Sequence, residues 1–374
     1  MILEHTASVL GCSILDQKLA LHLDEHDALQ HLRQHFLVPK VKDLPYTDLS
    51  CVDEKEECVY LVGNSLGLQP KHVKTYINEE LDKWHKMGVH GHFEGSRPWA
   101  LGDECIVDLM ANVVGGRVEE VALMNALTVN LHLLLGEETL RMEDIISMIE
   151  KEGDLIAVIL FSGVQYYTGQ LFDMPAITKA GHKKYMNSGA GSLAGAFIHE
   201  KHAKSIQPVL IGWWGHEMKT RFLMDNKLQL SPGINGYRIS NPSILLVCAL
   251  QASLEIFNQT SMKALRKKSV LLTGYLECLI KQCYTKDESD PQKPYVKIIT
   301  PSNVEERGCQ LSLVFSVPIK TVYKELEKRG VACDMREPNV LRIAPVPLYN
   351  SFSDVYRFIN ILGCALTASQ KEQA

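Results

Sequence analysis

The stretch KYMNSGAG, residues 184–191, decides how the rest of the chain is interpreted, because it places a lysine before a run of small residues. A lysine amine becomes a covalent catalyst when it condenses with an aldehyde cofactor, and pyridoxal phosphate (PLP) is the usual one. The small residues let the backbone turn sharply and approach a planar ring without Cβ clashes. The alternative is that Lys183 and Lys184 are a solvated pair on a surface loop. The other segments of the chain must decide between these two interpretations.

Composition predicts a large globular protein that neither binds nucleic acid nor spans a membrane. A chain of 374 residues with 46% hydrophobic content can form two domains or one large α/β unit. The net charge of −5 offers no basic surface to nucleic acid. The apolar runs at 155–161 and 244–250 are too short for a bilayer. His90 and His92 have no evident third ligand nearby, so no metal site is predicted.

Cysteine usage points to a reducing compartment. The ten cysteines have neither zinc-site spacing nor the pattern of a small disulfide scaffold. The first eleven residues do not resemble a secretory signal. We therefore expect free thiols and a cytoplasmic location.

The hydrophobic pattern predicts a helical N-terminal arm over 1–58, a large domain over 59–255 and a small domain over 256–374. In the large domain we expect strands at 60–62, 155–161 and 192–199, and helices at 70–87, 106–114, 128–135, 138–151, 174–182 and 241–258. In the small domain we expect strands at 296–300, 310–316 and 341–344, with helices at 319–329 and 353–362. The large sheet lacks strands in two places, after Leu135 and before Lys184, where helix follows helix or runs straight into the loop. The basic run from Lys263 to Lys268 is expected to face water.

Three further segments are candidates for ligand binding. Thr128 could cap a helix whose free N–H groups hold a phosphate, and Asn241 could do the same with Pro242 in the first helical turn. Arg342 stands in an apolar strand, where a guanidinium needs an anionic partner such as a substrate carboxylate. Plain helix caps and a buried structural ion pair remain the alternatives.

Longer strings resemble the kynureninase family, in its vertebrate form. The lysine loop continues into GAFIH at 195–199, and LVGNSLGLQP occupies 61–70. Other matching strings lie at 91–99, 125–132, 162–164, 212–213, 238–242 and 342–350. The resemblance runs through essentially the whole chain.

The resemblance implies an α/β, fold-type-I PLP-dependent (aminotransferase-like) large domain with a mainly parallel sheet, and a smaller α+β C-terminal domain. It implies a homodimer that hydrolyses kynurenine and 3-hydroxykynurenine in tryptophan breakdown. By motif it implies these roles: Lys184 as the Schiff-base lysine; Leu127, Thr128 and Ser162 as cofactor contacts; Trp213 and Asn241 as phosphate contacts that reach a neighbouring subunit's site; and Ser65, His92 and Arg342 as substrate contacts.

This chain departs from the family pattern at the two places where strands are lacking. The resemblance implies that two family segments, several dozen residues in total, are absent here. The segment that should follow Leu135 supplies the family with an aromatic ring that stacks on the cofactor. The segment that should precede Lys184 supplies the Asp that pairs with the pyridine nitrogen and a Tyr just before the lysine, whose position Lys183 occupies here. Without that carboxylate the ring nitrogen loses its proton more easily and withdraws electrons less. The departure therefore predicts a poor enzyme.

Two other function classes remain open. Another fold-type-I enzyme, such as an aminotransferase or a cysteine desulfurase, would share Lys184 and Arg342, although no loop cysteine suited to sulfur transfer is evident. A non-catalytic homologue that acts as a dimer partner is the third interpretation.

If Lys184 is the cofactor lysine, borohydride reduction of the PLP-loaded protein should leave the pyridoxyl group on Lys184, because only an imine is reduced to a stable amine. Peptide mapping by mass spectrometry gives the position. The variant Lys183→Ala should keep the label and Lys184→Ala should lose it. A label on Lys183, or none, would refute the assignment.

Overall fold

A computed structural model of the chain describes residues 2–125, 129–130, 161–162, 181–182, 186–200, 208, 210–223, 227–290 and 292–373. Within these residues the helices are α1 (Ile2–Val9), α2 (Gln17–Glu25), α3 (His72–Met87), α4 (Glu104–Val114), α5 (Ile244–Phe257), α6 (Met262–Tyr284), α7 (Ile319–Lys328) and α8 (Phe352–Gln373). The strands are β1 (Phe36–Leu37), β2 (Val59–Tyr60), β3 (Gln69–Pro70), β4 (Val121–Leu123), β5 (Phe161–Ser162), β6 (Gly181–His182), β7 (Gly195–Phe197), β8 (Val296–Ile298), β9 (Leu311–Phe315), β10 (Val331–Ala332), β11 (Asp334–Arg336) and β12 (Val340–Ile343). None of these helices is both long and apolar enough to cross a bilayer.

The described residues divide into two compact units. The first contains Met1–Gln69 and Thr260–Ala374, and the second contains the described parts of Pro70–Gly163 and Phe172–Gln259. The expected division into an arm, a large domain and a small domain stays a prediction.

The first unit is built on a four-stranded antiparallel sheet in the order β11-β12-β9-β8. Its central strands, β9 and β12, bury almost every residue, and they share one apolar core with side chains of α6, α7 and α8. Next to this sheet β2 pairs in parallel with β10, and an isolated parallel bridge joins Val62 to Ala344. The bridge places the turn after Val62 beside the end of β12.

The second unit is organised around α5. This helix is apolar on nearly all sides and buries most residues from Val247 to Ile256, which is the pattern of a helix enclosed by protein. It shares a core with α4 and with Leu123 of β4. Beside it, β4 pairs antiparallel with β7, and β5 pairs in parallel with β6.

The structure corrects several predicted elements. Gly181–His182 form a strand and not the end of a helix, and Pro70 lies in β3 while α3 begins at His72. Helix α5 begins at Ile244 with Ser243 as its cap, so Asn241 and Pro242 precede it. Helix α8 continues past Gly363, where Tyr284 Oη donates to the carbonyl of Ile359 and would leave no room for a side chain. The predicted helices at 128–135 and 138–151 lie, apart from residues 129–130, outside the described residues.

The basic run on α6 is not entirely exposed, contrary to expectation. Lys268 lies on the apolar side of the helix with Leu265 and Leu272, and only 7% of its side chain is exposed. Its Nζ lies 2.6 Å from a carboxylate oxygen of Asp27, which is equally buried. Burial lowers the pKa of Lys268, and the bond to Asp27 opposes this. An acid far away in sequence therefore determines which lysine of the run is buried.

Lys268→Ala should lower the free energy of unfolding by about 3–5 kcal/mol, because it leaves Asp27 as a buried charge without its cation. Urea unfolding followed by circular dichroism measures the change. The matched control is Lys267→Ala, one residue earlier and exposed, which should stay within about 0.5 kcal/mol of the parent. Equal effects of the two substitutions would contradict a structural role for the pair.

Candidate active site

The loop that follows Lys184 has the sharp turns that its small residues predict. Lys184 itself lies outside the described residues, which resume at Met186. Asn187, Gly189 and Gly191 have positive φ angles of 54°, 89° and 69°. The carbonyl of Met186 accepts a hydrogen bond from Ser253 Oγ of α5. The predicted loop therefore exists on the C-terminal side of the lysine and is anchored to the most buried helix of its unit.

Two strands bring Ser162 close to the chain that leads to the lysine. Ser162 is the last residue of β5 and is paired in register with His182 of β6, two residues before Lys184. The predicted strand at 155–161 is described only at Phe161, which lies in β5. The main chain at Ser162 is thus placed beside the approach to the lysine, as a cofactor contact requires.

The loop that carries Leu127 and Thr128 is fixed at both ends, although these two residues lie outside the described part of the chain. At its start Asn125 has a positive φ of 55°, and its side chain donates to Asn130 Oδ1 at 3.0 Å. Asn130 is fully buried, and its amide donates to the carbonyl of Met124 at 3.0 Å. The backbone of Ala194 donates to the carbonyl of Asn125 at 3.0 Å. The ends of this loop are therefore bound to the chain that follows the lysine loop.

Trp213 and Asn241 lie on two segments that touch. Gly212 packs so closely on Ile239 that a Cβ at position 212 would lie 2.0 Å from the Ile239 carbonyl oxygen. Trp213 is 52% exposed and Asn241 is also exposed. The amide oxygen of Asn241 accepts from Ser240 Oγ at 3.2 Å, so its amide nitrogen and the indole N–H of Trp213 are the donors suited to an external anion.

His92 is exposed at the end of a short 3₁₀ helix, Gly88–His92, and its ring meets Trp99 edge-on with the centroids 5.3 Å apart. Trp99 is held by Glu80, which accepts a hydrogen bond of 2.8 Å from its indole nitrogen. The same carboxylate, 2% exposed, forms ion pairs with Lys83 and Arg97. Burial alone would raise the pKa of Glu80, but the hydrogen bonds from Lys83, Trp99 and Arg97 lower it. Glu80 therefore fixes the Trp99 ring that His92 contacts.

An exposed row of aromatic rings links His92 to Trp213. Phe93 lies 6.3 Å from His92 and 6.4 Å from Phe222, and Phe222 lies 6.3 Å from Trp213, measured between ring centroids. Phe93 and Phe222 are 68% and 56% exposed. The structure thus brings two predicted site residues of the second unit to one apolar surface.

In the first unit, Ser65 and Arg342 lie on neighbouring segments. Ser65 is half-buried in the turn that begins at Val62, and its N–H donates to the Val62 carbonyl at 2.9 Å. The adjacent Leu61 carbonyl accepts from the backbone of Ala344, two residues after Arg342. Arg342 is 3% exposed and stands in β12, as predicted. The structure therefore places the two predicted substrate contacts of this unit close together along the backbone.

Arg342 has an internal anion that the sequence did not reveal. Its guanidinium forms an ion pair with Asp334, which faces it in the register of β11 and β12. Asp334 also pairs with the half-exposed Arg336 at 3.1 Å. The structural ion pair considered as an alternative is thus present. A substrate carboxylate would have to share Arg342 with Asp334 or displace Asp334 from it.

Sequence reasoning also missed a group of three potential metal ligands on the last turn of α2. His22, Glu25 and His26 each offer one ligand atom, and these atoms lie within 4.8 Å of one another. The signal is the HxxEH spacing, which puts all three on one side of a helix. Two of the three are exposed, and we assign no role to the group.

Comparison with known proteins identifies one family. A model described as the kynureninase C-terminal domain matches residues 265–362. Human kynureninase is 53% identical over an alignment that covers 98% of this chain and 97% of the human protein. Kynureninase of Nematostella vectensis is 39% identical, with 97% of each protein covered. The human alignment runs over 449 positions, 75 more than the 374 residues of this chain, so at least that many positions face no residue here.

Solved structures with the same fold are PLP enzymes of the fold-type-I class. The cysteine desulfurase CsdA from Escherichia coli superposes with a TM-score of 0.61 at 12% identity, over 90% of this chain and 98% of CsdA. The cystine C-S lyase C-DES, in complex with its product cysteine persulfide, gives 0.59 at 11% identity, over 83% and 98%. At these identities the likeness concerns the fold alone, which is the fold class expected from the sequence.

Proposed function

Since the chain belongs to the kynureninase family, we propose that it is a PLP-dependent hydrolase that converts L-kynurenine to anthranilate and L-alanine. The same chemistry converts 3-hydroxykynurenine to 3-hydroxyanthranilate and L-alanine, in tryptophan catabolism and NAD biosynthesis. The observation that carries the proposal is the 53% identity to human kynureninase over 98% of the chain. The reaction adds water across one carbon–carbon bond: the hydroxyl goes to the ketone carbon and a proton to the neighbouring carbon of alanine.

The described residues fit PLP in two respects. Met186–Gly191 turn back with three positive φ angles, and two of these are at Gly189 and Gly191, where backbone without a Cβ can approach a flat ring. Trp213 and Asn241 present donors from touching segments, as a phosphate requires. We propose that Lys184 would bond to the aldehyde carbon of the cofactor; that Leu127, Thr128 and Ser162 would contact the cofactor; and that Trp213 and Asn241 would bind the phosphate in a neighbouring subunit's site. When bound, PLP supplies a sink for the electron pair released at the substrate Cα.

Each proposed step then uses a residue of this chain. The amine of Lys184 would accept the proton from the substrate Cα as a general base. Arg342 binds the α-carboxylate through its planar fork, in exchange for part of its bond to Asp334. His92, exposed and braced by Trp99, contacts the aryl ketone. Ser65 contributes a hydroxyl to the substrate, and the aryl acid leaves before alanine.

We propose further that turnover by this chain is low. The 75 unmatched positions agree in number with two absent segments of several dozen residues in total. Loss of a carboxylate partner would leave the pyridine nitrogen less protonated, which raises the barrier to removal of the Cα proton. This also keeps open a non-catalytic role as a dimer partner. Visible absorbance from lysine-bound PLP would count against this non-catalytic role.

A homodimer is proposed on the basis of the exposed aromatic row. Phe93, Trp213 and Phe222 are each more than half exposed and lie side by side. Contiguous apolar surface of this kind is typical of a protein interface. All ten cysteines are free, including those that are buried, and this supports the proposed cytoplasmic location.

The function is tested by anthranilate release from kynurenine, at equal cofactor occupancy, by this chain and by a version that carries the two segments from human kynureninase. We expect the supplemented version to release anthranilate and alanine in equal amounts, and this chain to be slower by orders of magnitude. Turnover within about tenfold, or ~1.4 kcal/mol of barrier, would contradict the proposed effect of the gaps. If the supplemented version instead transfers the amino group to an added 2-oxo acid, the hydrolase proposal is wrong and an aminotransferase is favoured.

Arg342→Lys in the supplemented version should raise KM for kynurenine by roughly ten- to a hundredfold, since a charge-assisted fork is worth about 1.5–3 kcal/mol. Cofactor absorbance should be unchanged. Arg336→Lys is the matched control, because Arg336 shares Asp334 but is half-exposed.

Asp334→Asn separates the two roles of Arg342. It removes the competing carboxylate, so KM should fall if the substrate carboxylate replaces Asp334 at Arg342. If Arg342 is only a structural partner, Arg342→Lys and Asp334→Asn should both lower thermal stability while KM remains constant.

A further inference from the structure

Asp103 is a buried carboxylate that none of the steps above uses. It is completely buried at the start of α4 and accepts hydrogen bonds from both terminal nitrogens of Arg238, at 2.5 and 3.0 Å. The backbone N–H of Leu123 donates to the same carboxylate at 2.9 Å. Arg238 is itself only 6% exposed, so the pair is shielded from water. Burial raises the pKa of Asp103, and the charge of Arg238 and the Leu123 N–H oppose this.

The partners of Asp103 lie just before the two segments proposed to bind the cofactor. Leu123 ends β4 and comes four residues before Leu127 and five before Thr128. Arg238 comes three residues before Asn241. One carboxylate therefore ties the end of β4 to the residue that leads into the Asn241 segment.

The neighbouring Gly102 reinforces this connection. A Cβ at this position would lie 3.0 Å from the ring of Trp214 and 3.1 Å from the ring of Pro242. Trp214 directly follows Trp213, and Pro242 directly follows Asn241. Arg221 also packs on Trp214. Its guanidinium lies 4.1 Å from the Trp214 ring centroid, and it donates to the Trp214 carbonyl at 2.8 Å. Residues 102–103 thus contact both segments that carry the proposed phosphate donors.

A buried ion pair contributes little net stability, because desolvation of two charges offsets most of their attraction. The fixed geometry of the Asp103–Arg238 pair therefore explains its presence better than a gain in stability does. The bidentate fork of Arg238 allows one orientation of the chain at 238, and hence of the residues that follow it. A shift of even one ångström in a group that contacts a ligand can cost about a hundredfold in function.

We propose that Asp103 is a positioning residue, which holds the segments of Trp213 and Asn241 so that their two donors keep the spacing that a cofactor phosphate requires. This inference rests on the proposed function, since it presumes that these segments bind PLP. It adds a residue that does not touch the cofactor but determines affinity for its phosphate.

The test compares affinity for PLP with affinity for pyridoxal, which has the same aldehyde ring but no phosphate. Both are measured on the full chain by titration of visible absorbance and of tryptophan fluorescence. Asp103→Asn keeps the size of the side chain and an acceptor for Leu123 but removes the charge that aligns Arg238. We expect the variant to lose about tenfold or more in PLP affinity, as is usual when an outer partner of a ligand-binding group is removed. Pyridoxal affinity should change little.

Glu277→Gln is the control, because it breaks another buried ion pair, that of Glu277 with Arg307, in the first unit. It should lower thermal stability without changing the ratio of the two affinities. If Asp103→Asn does not fold, the ratio measured on Arg238→Lys, which keeps the charge but loses the fork, decides instead. An unchanged ratio in the variant that folds overturns the inference. If the parent chain binds neither compound, it is the proposed function that fails.

Discussion

The burial of helix α5 is the constraint on which the second unit depends. Because its apolar residues face protein on nearly all sides, its few polar groups must be satisfied by neighbouring elements. Ser253 donates to the carbonyl of Met186, and Gln251 accepts from Arg97 at 2.6 Å. Glu255 accepts from the hydroxyl of Tyr76 at 2.6 Å. The helix thereby fixes the lysine loop and the segment that precedes Trp99 in one rigid arrangement.

Charge is used differently in the two units. In the second unit Glu80 and Asp103 are buried anions that orient a tryptophan and an arginine, so each stabilises geometry more than net free energy. In the first unit the cation Arg342 is buried and Asp334 is less so, with 4% and 14% of the side chains exposed. The acid is thus the more accessible member of the pair, which is compatible with the proposed exchange of Asp334 for a substrate carboxylate.

The sequence predicted β8, β9, β12 and α7 of the C-terminal part, because these elements have clear strand or helix periodicity and well-marked ends, whereas α6 was not predicted as an element and α8 was predicted too short. It failed where the decisive partner is remote or the element is short. Nothing near Lys268 indicates Asp27, and nothing near Arg342 indicates Asp334, since the three-residue strand β11 is too short and polar to be recognised. Asn241 has the residue type of a helix cap, yet the helix starts at Ile244 with Ser243 as its cap, and Pro242 packs against Gly102 instead. The lysine loop was predictable because its conformation depends on its own small residues.

Gly212 and Trp213 are adjacent, yet they are subject to different kinds of selection. At 212 the backbone of Ile239 occupies the space of any side chain, so we expect every functional sequence variant to keep glycine there, whatever it binds. At 213 the side chain projects with half its surface exposed, and its identity can follow the ligand or the partner surface. In this turn the cause of the constraint therefore changes within one peptide bond, from close backbone packing at 212 to the proposed recognition of a phosphate at 213, and a survey of variants would distinguish the two causes.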